Sequence, residues 1–252
     1  MKIFDVYNFL NSIAPFSLAM NWDNCGLLIG NKLDEFHKAL VCLDVTDTII
    51  DECLLKKCNL LISHHPIIFN GLKSIESDSL VYKLIKNNIN VISLHTNLDI
   101  AQHGVNYALA NTLELYDCQA LSSDLDSIGL VGRLKSSCSP NELAKFVKKR
   151  LNCKKISYIS GNKNIQTVAV CGGAGANITK LVIHKTIDAY ITSEIKYNIW
   201  LEAKRAGLTL IDAGHFNTEN PVCDVLAKHL NNYFKTNNFN VAQNNIDIIE
   251  AI

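Results

Sequence analysis

Six four-residue apolar runs, set out as two triplets, restrict what this chain can fold into. The first triplet is Val41-Cys42-Leu43-Asp44, Leu60-Leu61-Ile62-Ser63 and Val91-Ile92-Ser93-Leu94. The second is Val168-Ala169-Val170-Cys171, Ala189-Tyr190-Ile191-Thr192 and Leu208-Thr209-Leu210-Ile211. Runs this short have strand length, and continuous apolarity is what burial on both faces of a parallel sheet demands. Stretches of helical periodicity separate them, so each triplet reads as a βαβαβ unit with right-handed crossovers. The spacing repeats as well: 23 residues from Val41 to His64, and 25 from Val168 to Ser193. The expected fold is α/β, two similar βαβαβ lobes packed together.

The first lobe is expected over 1–126 and the second over 127–252, with the C-terminal segment free to pack on the first. Helical periodicity predicts helices over 3–13, 46–57, 79–87, 104–113, 141–151, 178–184, 197–206 and 221–233. Thr46 or Asp47, and Ser139 with Pro140, are start signals, and Gly207 is a stop. Further strands are expected at 128–134, at 156–159 and 167–171 on either side of a Gly161-Asn162 turn, and at 246–250.

With 252 residues the chain can bury a sizeable core. Lysine plus arginine and aspartate plus glutamate number 24 each, so no basic field exists to hold phosphate backbones, which argues against nucleic acid as the main partner. No apolar run approaches the ~18 residues that span a bilayer. Met1-Lys2-Ile3-Phe4-Asp5-Val6 does not read as a signal peptide. Nine scattered cysteines without a C-x-x-C pair read as reduced, buried thiols, and the expected location is cytoplasmic.

Polar chemistry collects where the apolar runs stop. Leu60–Ser63 leads into His64-His65-Pro66, and Val91–Leu94 into His95-Thr96-Asn97-Leu98-Asp99. Ala189–Thr192 leads into Ser193-Glu194, and Leu208–Asp212 into Ala213-Gly214-His215 with Glu219 beyond. In open α/β sheets ligands bind at the carboxyl ends of the strands. Histidine with carboxylate is also a ligand set suited to divalent transition metals. Adjacent histidines in a regular strand point to opposite faces, but Pro66 ends this strand and lets both turn toward one cavity. Each residue also has a plainer reading: Asp99 as a helix cap or loop residue, His95 and His103 as hydrogen-bonded structural histidines, the His64-His65 pair as chance. His215 and Glu219 are expected on a loop before the helix that Asn220-Pro221 opens, Glu219 near its N-terminus. Three histidines and two carboxylates exceed what one tetrahedral ion needs, and two ions account for them better. Gly172-Gly173-Ala174-Gly175 reads equally as an anion cradle or as a tight structural turn. No Walker A, Gly-x-Gly-x-x-Gly or Gly-x-Ser-x-Gly pattern occurs.

At these residues the chain resembles the GTP cyclohydrolase 1 type 2 homologue family, the Nif-three-like proteins. The markers are Trp22-Asp23-Asn24-Cys25-Gly26-Leu27-Leu28-Ile29-Gly30, Ser63-His64-His65-Pro66-Ile67-Ile68-Phe69, His95-Thr96-Asn97-Leu98-Asp99, Gly172-Gly173-Ala174-Gly175, Thr192-Ser193-Glu194 and Asp212-Ala213-Gly214-His215-Phe216-Asn217-Thr218-Glu219. The resemblance covers essentially the whole chain. It implies two divalent metal ions (zinc, iron or manganese) held by His64, His65, Asp99, His215 and Glu219, with Glu219 bridging. It also implies a Nif-three-like fold and a ring-like homo-oligomer, commonly a hexamer, whose sites face an internal cavity. Longer members carry an inserted domain that this chain lacks, and Cys25 stands where many relatives have an aliphatic residue.

The function expected is a dinuclear-metal-dependent hydrolase, the candidate reaction being GTP ring opening with formate release. His95 is the expected proton shuttle and Glu219 a catalytic carboxylate. The alternatives are a non-catalytic metal-binding protein (a metallochaperone or regulatory partner) and a nucleotide phosphoesterase.

Overall fold

The six apolar runs are strands, and the computed structural model, which describes residues 1–122 and 128–250, sorts them into two sheets. In chain order the elements begin with α1 (Ile3–Ile13), β1 (Gly26–Ile29), β2 (Ala39–Cys42), α2 (Asp47–Leu55), β3 (Leu60–Ser63), α3 (Leu80–Lys86), β4 (Asn90–Ser93) and α4 (Thr96–Ile100). Next come α5 (Val105–Thr112), β5 (Tyr116–Ala120), β6 (Leu130–Cys138), α6 (Pro140–Arg150), β7 (Ser157–Ile159), β8 (Ile165–Val170) and α7 (Thr179–His184). The rest are β9 (Ala189–Thr192), α8 (Tyr197–Ala206), β10 (Thr209–Asp212), α9 (His215–Glu219), α10 (Pro221–Phe234) and β11 (Phe239–Val241).

Two compact units divide the chain: Met1–Gln102 with Val222–Ile246, and His103–Pro221 with the segment that starts at Asp247. The expected break between 126 and 127 lies outside the described residues. On either side of it the units divide differently from that expectation. α5 and β5 belong to the second unit, and α10 and β11 to the first. Strand pairing is the reason, since β5 adds antiparallel to β6 and β11 adds parallel to β2.

In the first unit the sheet order is β1-β4-β3-β2-β11. The βαβαβ core is β2–β4, parallel throughout, extended by parallel β11 and antiparallel β1. Each core strand is buried along its whole length, which is why its run lacks polar alternation. Leu40, Leu61 and Val91 pack with Ile49, Cys53 and Leu84 from the crossover helices. Cys42, Ser63 and Ser93 lie in register across the three strands. The strands therefore end level, and the residues that follow emerge side by side.

The second unit repeats this plan with β8, β9 and β10, parallel and adjacent, in the sheet β5-β6-β8-β9-β10-β7. Helices cover both faces: Val168, Val170, Ile191 and Ile211 pack with Leu143 and Val147 of α6, while Ala169, Tyr190 and Leu210 pack with Val182 of α7 and Ala203 of α8. Alternate strand residues thus supply opposite layers. Ser139 caps α6 in a capping box with Glu142, and Gly207 ends α8 at φ 71°.

The strands beside the Gly161-Asn162 turn do not pair with each other; β7 lies antiparallel on β10, at the opposite side of β10 from β9. The turn docks there, Gly161 N donating to Thr209 Oγ1 and Asn162 N to the Gly207 carbonyl. The strand expected at 246–250 is absent from those residues, and the last strand is instead β11.

The chain after β11 is secured by Glu52 of α2, whose buried carboxylate accepts from Lys56 Nζ (2.7 Å), Gln243 N (2.8 Å), Asn244 N (2.9 Å) and Asn244 Nδ2 (3.0 Å). Burial pushes its pKa up, but Lys56 and the two backbone N–H groups outweigh burial and hold it below the ordinary 4.5. Glu52→Ala is expected to cost about 2–4 kcal/mol, because four donor groups lose a buried acceptor. The carboxylate's folded pKa lies below its unfolded one, so this stabilisation is complete above the unfolded value and fades as pH falls through the folded value. Urea midpoints of wild type and variant, separated at pH 7, should therefore converge on acidification below pH 4 or so.

Candidate metal centre

The level strand ends of the first unit bring three histidines together. Beyond β3 the ladder continues for two residues, His64 N donating to the Cys42 carbonyl (3.0 Å) and His65 N to that of Leu43 (2.9 Å). The Ser63 hydroxyl then donates to the His65 carbonyl (2.9 Å) and bends the chain at Pro66. Both rings consequently lie on one side, with centroids 4.9 Å apart, and the opposite-face arrangement of a regular strand is avoided. His95, directly before α4, joins them at 5.3 Å from His64 and 5.6 Å from His65. The three can each offer a nitrogen within 4.8 Å of the others, a group that could hold a metal ion.

Each ring is held by its Nδ1. That of His64 donates to the Leu94 carbonyl (2.8 Å), that of His65 to Asp44 Oδ1 (2.8 Å), and that of His95 to Asp23 Oδ1 (2.9 Å). Carbonyl and carboxylate oxygens only accept, so Nδ1 carries the proton and Nε2 presents its lone pair. Asp23 is itself fixed by the Thr96 amide and hydroxyl; burial works against its charge, yet the bonds from His95 and Thr96 hold its carboxyl well below the usual range. Asp99 lies within α4, a turn past the strand end, with Oδ1 3.7 Å from His64 Nε2. Burial pushes the neighbouring Cys25 thiol up to about 12, with Asp23 adding to the rise, so it stays protonated at neutral pH.

In the second unit His215 and Glu219 occupy α9, a short helix, and not the expected loop. Gly214, at φ 85°, turns the chain out of β10, and the helix closes with Thr218 donating back to the Gly214 and His215 carbonyls. Four residues apart on one helical face, the pair meets with His215 Nε2 3.0 Å from Glu219 Oε2. The same rule of orientation holds: His215 Nδ1 donates to Glu194 Oε1 at 2.6 Å.

The glycine turn serves this pair. Its amides are used inside the protein, Gly172 N on Asn106 Oδ1, Gly173 N on Thr218 Oγ1 and Gly175 N on the Gly173 carbonyl. That arrangement matches the structural-turn reading and leaves little to cradle an anion. A Cβ on Gly173, which has φ 63°, would sit 2.1 Å from Glu219 Oε1, so glycine there makes room for the carboxylate.

Nitrogen–oxygen separations of 3.0 and 3.7 Å are what two neighbouring ligands show around an ion at about 2.0–2.2 Å from each. Neutral imidazole with carboxylate suits zinc, iron or manganese. His103 takes no part in these groups; it packs on Tyr107 at φ 71°. Asp23, Asp44 and Glu194 received no role from the sequence, although each sits at or near the end of an apolar run, or in a motif, already singled out there. Glu194 has φ 55°, a left-handed conformation that costs a non-glycine residue about 1 kcal/mol. Glu194→Gly is therefore expected to leave the melting temperature unchanged or slightly raised, while weakening metal retention about 10–100-fold, as read by competition with a chromophoric chelator.

Two mixed α/β units whose strand ends present oriented histidines define a class of α/β protein with side-chain groups that could hold a metal ion. A family model described as Duf34/NIF3 (NGG1p interacting factor 3) matches residues 1–250. A "GTP cyclohydrolase 1 type 2 homolog" from Clostridium acetobutylicum is 33% identical over 98% of this chain and 97% of its own length. A relative with the same description from Campylobacter jejuni is 32% identical over 92% and 93%. The crystal structure of a Staphylococcus aureus hypothetical protein, 28% identical, superposes with a TM-score of 0.93 over 100% of this chain and 99% of its own. The chain belongs to the Duf34/NIF3 family and has its Nif-three-like fold. No helix among the described residues is long and apolar enough to cross a membrane.

Proposed function

We propose that this protein is a dinuclear-metal-dependent hydrolase in which His64, His65, Asp99, His215 and Glu219 would hold two divalent cations. The observation that carries the reading is the common orientation of the three ligand histidines, His64, His65 and His215, each tied through Nδ1 to an acceptor. Histidines kept for packing have no need of one shared tautomer; metal ligands do. His215 and Glu219 by themselves are one ligand short of the three protein ligands of a catalytic site.

Bound divalent cations supply acidity to water and polarise the electrophile. The protein's part is to orient and to move protons. His95, with Asp23 behind it, is the proton carrier: Nε2 takes a proton while the carboxylate stabilises the resulting imidazolium. The candidate substrate, in keeping with the description of the relatives, is GTP. One water adds at C8 of the purine and the C8–N9 bond breaks to leave a formamide on N7; a second water hydrolyses that formamide, so that the carbon leaves as formate and both nitrogens keep a proton as amines. The same reading makes the protein a cytoplasmic homohexamer; its nine free cysteines, most of them buried, suit a reducing compartment.

The test is elemental analysis of protein purified without chelator, followed by formate release from GTP by the metal-loaded chain. Two equivalents of metal and catalytic formate are expected. Phosphate release without formate would favour a phosphoesterase. Metal that passes to an acceptor protein without any turnover would favour a metal carrier.

A further inference from the structure

Beside the three histidines of the first unit, two aromatic rings stand in solvent. Trp22 is 60% exposed and Phe69 44%, yet the backbone that carries them is firmly tied. Asp23, next to Trp22, is fixed by His95 and Thr96, and Met20 N donates to Thr96 Oγ1. Asn24 Nδ2 donates to the Ile68 carbonyl at 2.6 Å and so links the loop of Trp22 to the loop of Phe69. The rings are held 5.8 Å apart and tilted by 37°, forming a shelf. His95 stands nearly perpendicular to both, 6.1 Å from Trp22 and 6.3 Å from Phe69. Large aromatic faces kept in water on a tied backbone cost burial energy that folding alone would recover by tucking them in.

We infer that Trp22 and Phe69 form a stacking shelf for a planar nitrogen heteroaromatic ring that bears N–H or NH2 donors on its edge. The face of the ring is recognised by the two side chains. The edge is recognised by the histidines, because a His95 ring protonated at Nδ1 offers an acceptor at Nε2. A sugar–phosphate without its base has neither feature. This deepens the hydrolase reading by naming the part of the substrate that is gripped, and it rests on that reading only for the chemistry that follows binding.

The chain has two tryptophans, so Trp200→Phe leaves Trp22 as the single reporter. Titration of that protein with guanosine, excited at the red edge of indole absorption, should show saturable quenching, and ribose 5-phosphate should show none. Phe69→Leu should weaken guanosine binding about tenfold, in the range of one lost stacking contact. Calorimetric titration of the unaltered chain against Trp22→Leu gives the same comparison should Trp200→Phe fold poorly. Absent quenching, equal response to ribose 5-phosphate, or unchanged affinity in Phe69→Leu overturns the shelf. So does a Trp22 emission that shifts with protein concentration and ignores guanosine, since a second copy would then cover the rings. Guanosine binding without formate release from GTP removes the hydrolase and leaves the shelf standing; formate release with no ring bound at Trp22 does the reverse.

Discussion

Glu219→Gln is expected to leave the fold intact and to reduce formate release from GTP by at least a hundredfold. Glutamine fills the same space, so the pocket that Gly173 leaves for the side chain stays filled. What changes is chemical. One anionic oxygen is replaced by an amide nitrogen that has no lone pair to give, and the negative charge beside His215 Nε2 is lost. Groups that merely orient ligands contribute about 10–100-fold to metal affinity, so a ligand contributes at least that much. Metal content should fall from two ions per chain to one or fewer, and turnover should fall with it. The metal-free variant should unfold within about 1 kcal/mol of wild type, because glutamine keeps the shape and volume of the buried side chain. Full metal content with unchanged formate release would remove Glu219, and the mechanism built on it, from the reading.

The second large effect concerns stability alone. A Cβ on Gly161 would lie 2.4 Å from the Gly207 carbonyl and 2.8 Å from the Thr209 amide, both backbone atoms of the α8–β10 turn. Neither can rotate away as a side chain would. Gly161→Ala must either open the seat of the turn on β10 or shift β7 out of register, and about 3–5 kcal/mol is expected. At roughly 2–4 °C per kcal/mol the melting temperature should fall by on the order of 10 °C. Gly71→Ala is the control, since nothing lies within 4 Å of its would-be Cβ and its φ is ordinary. There the change is expected to be neutral or slightly stabilising through the unfolded chain. Differential scanning calorimetry of both metal-free variants separates the two outcomes.

The repeated βαβαβ plan was legible in the sequence because a strand buried on both faces has to be apolar throughout, and because helix caps such as Thr46 and Ser139 act within one turn. Of the strands outside the two triplets, β6 and β7 were legible, whereas β1, β5 and β11 were not. β1 has only the three apolar residues Leu27–Ile29 between Gly26 and Gly30, and β5 has no continuous apolar run; Tyr116–Ala120 is largely exposed at a sheet edge, where pairing with β6 and not burial makes it a strand. The chain after β10 misled for a related reason. Asn220-Pro221 does open α10, but the turn before it is already helical, which places His215 and Glu219 on one face.

The candidate site shows the same division. His64, His65, His95, Asp99, His215 and Glu219 all stood out from the sequence, since a polar residue that closes an apolar run is cheap to see. Their partners Asp23, Asp44 and Glu194 did not, because His95 and Asp23 are 72 positions apart, and His65 and Asp44, like His215 and Glu194, 21 apart. Local residue order determined which side chains could do chemistry, through burial and periodicity acting within a few residues. Only the tertiary structure decided how each imidazole is turned, because in-register strand ends set that through hydrogen bonds between residues far apart in the chain.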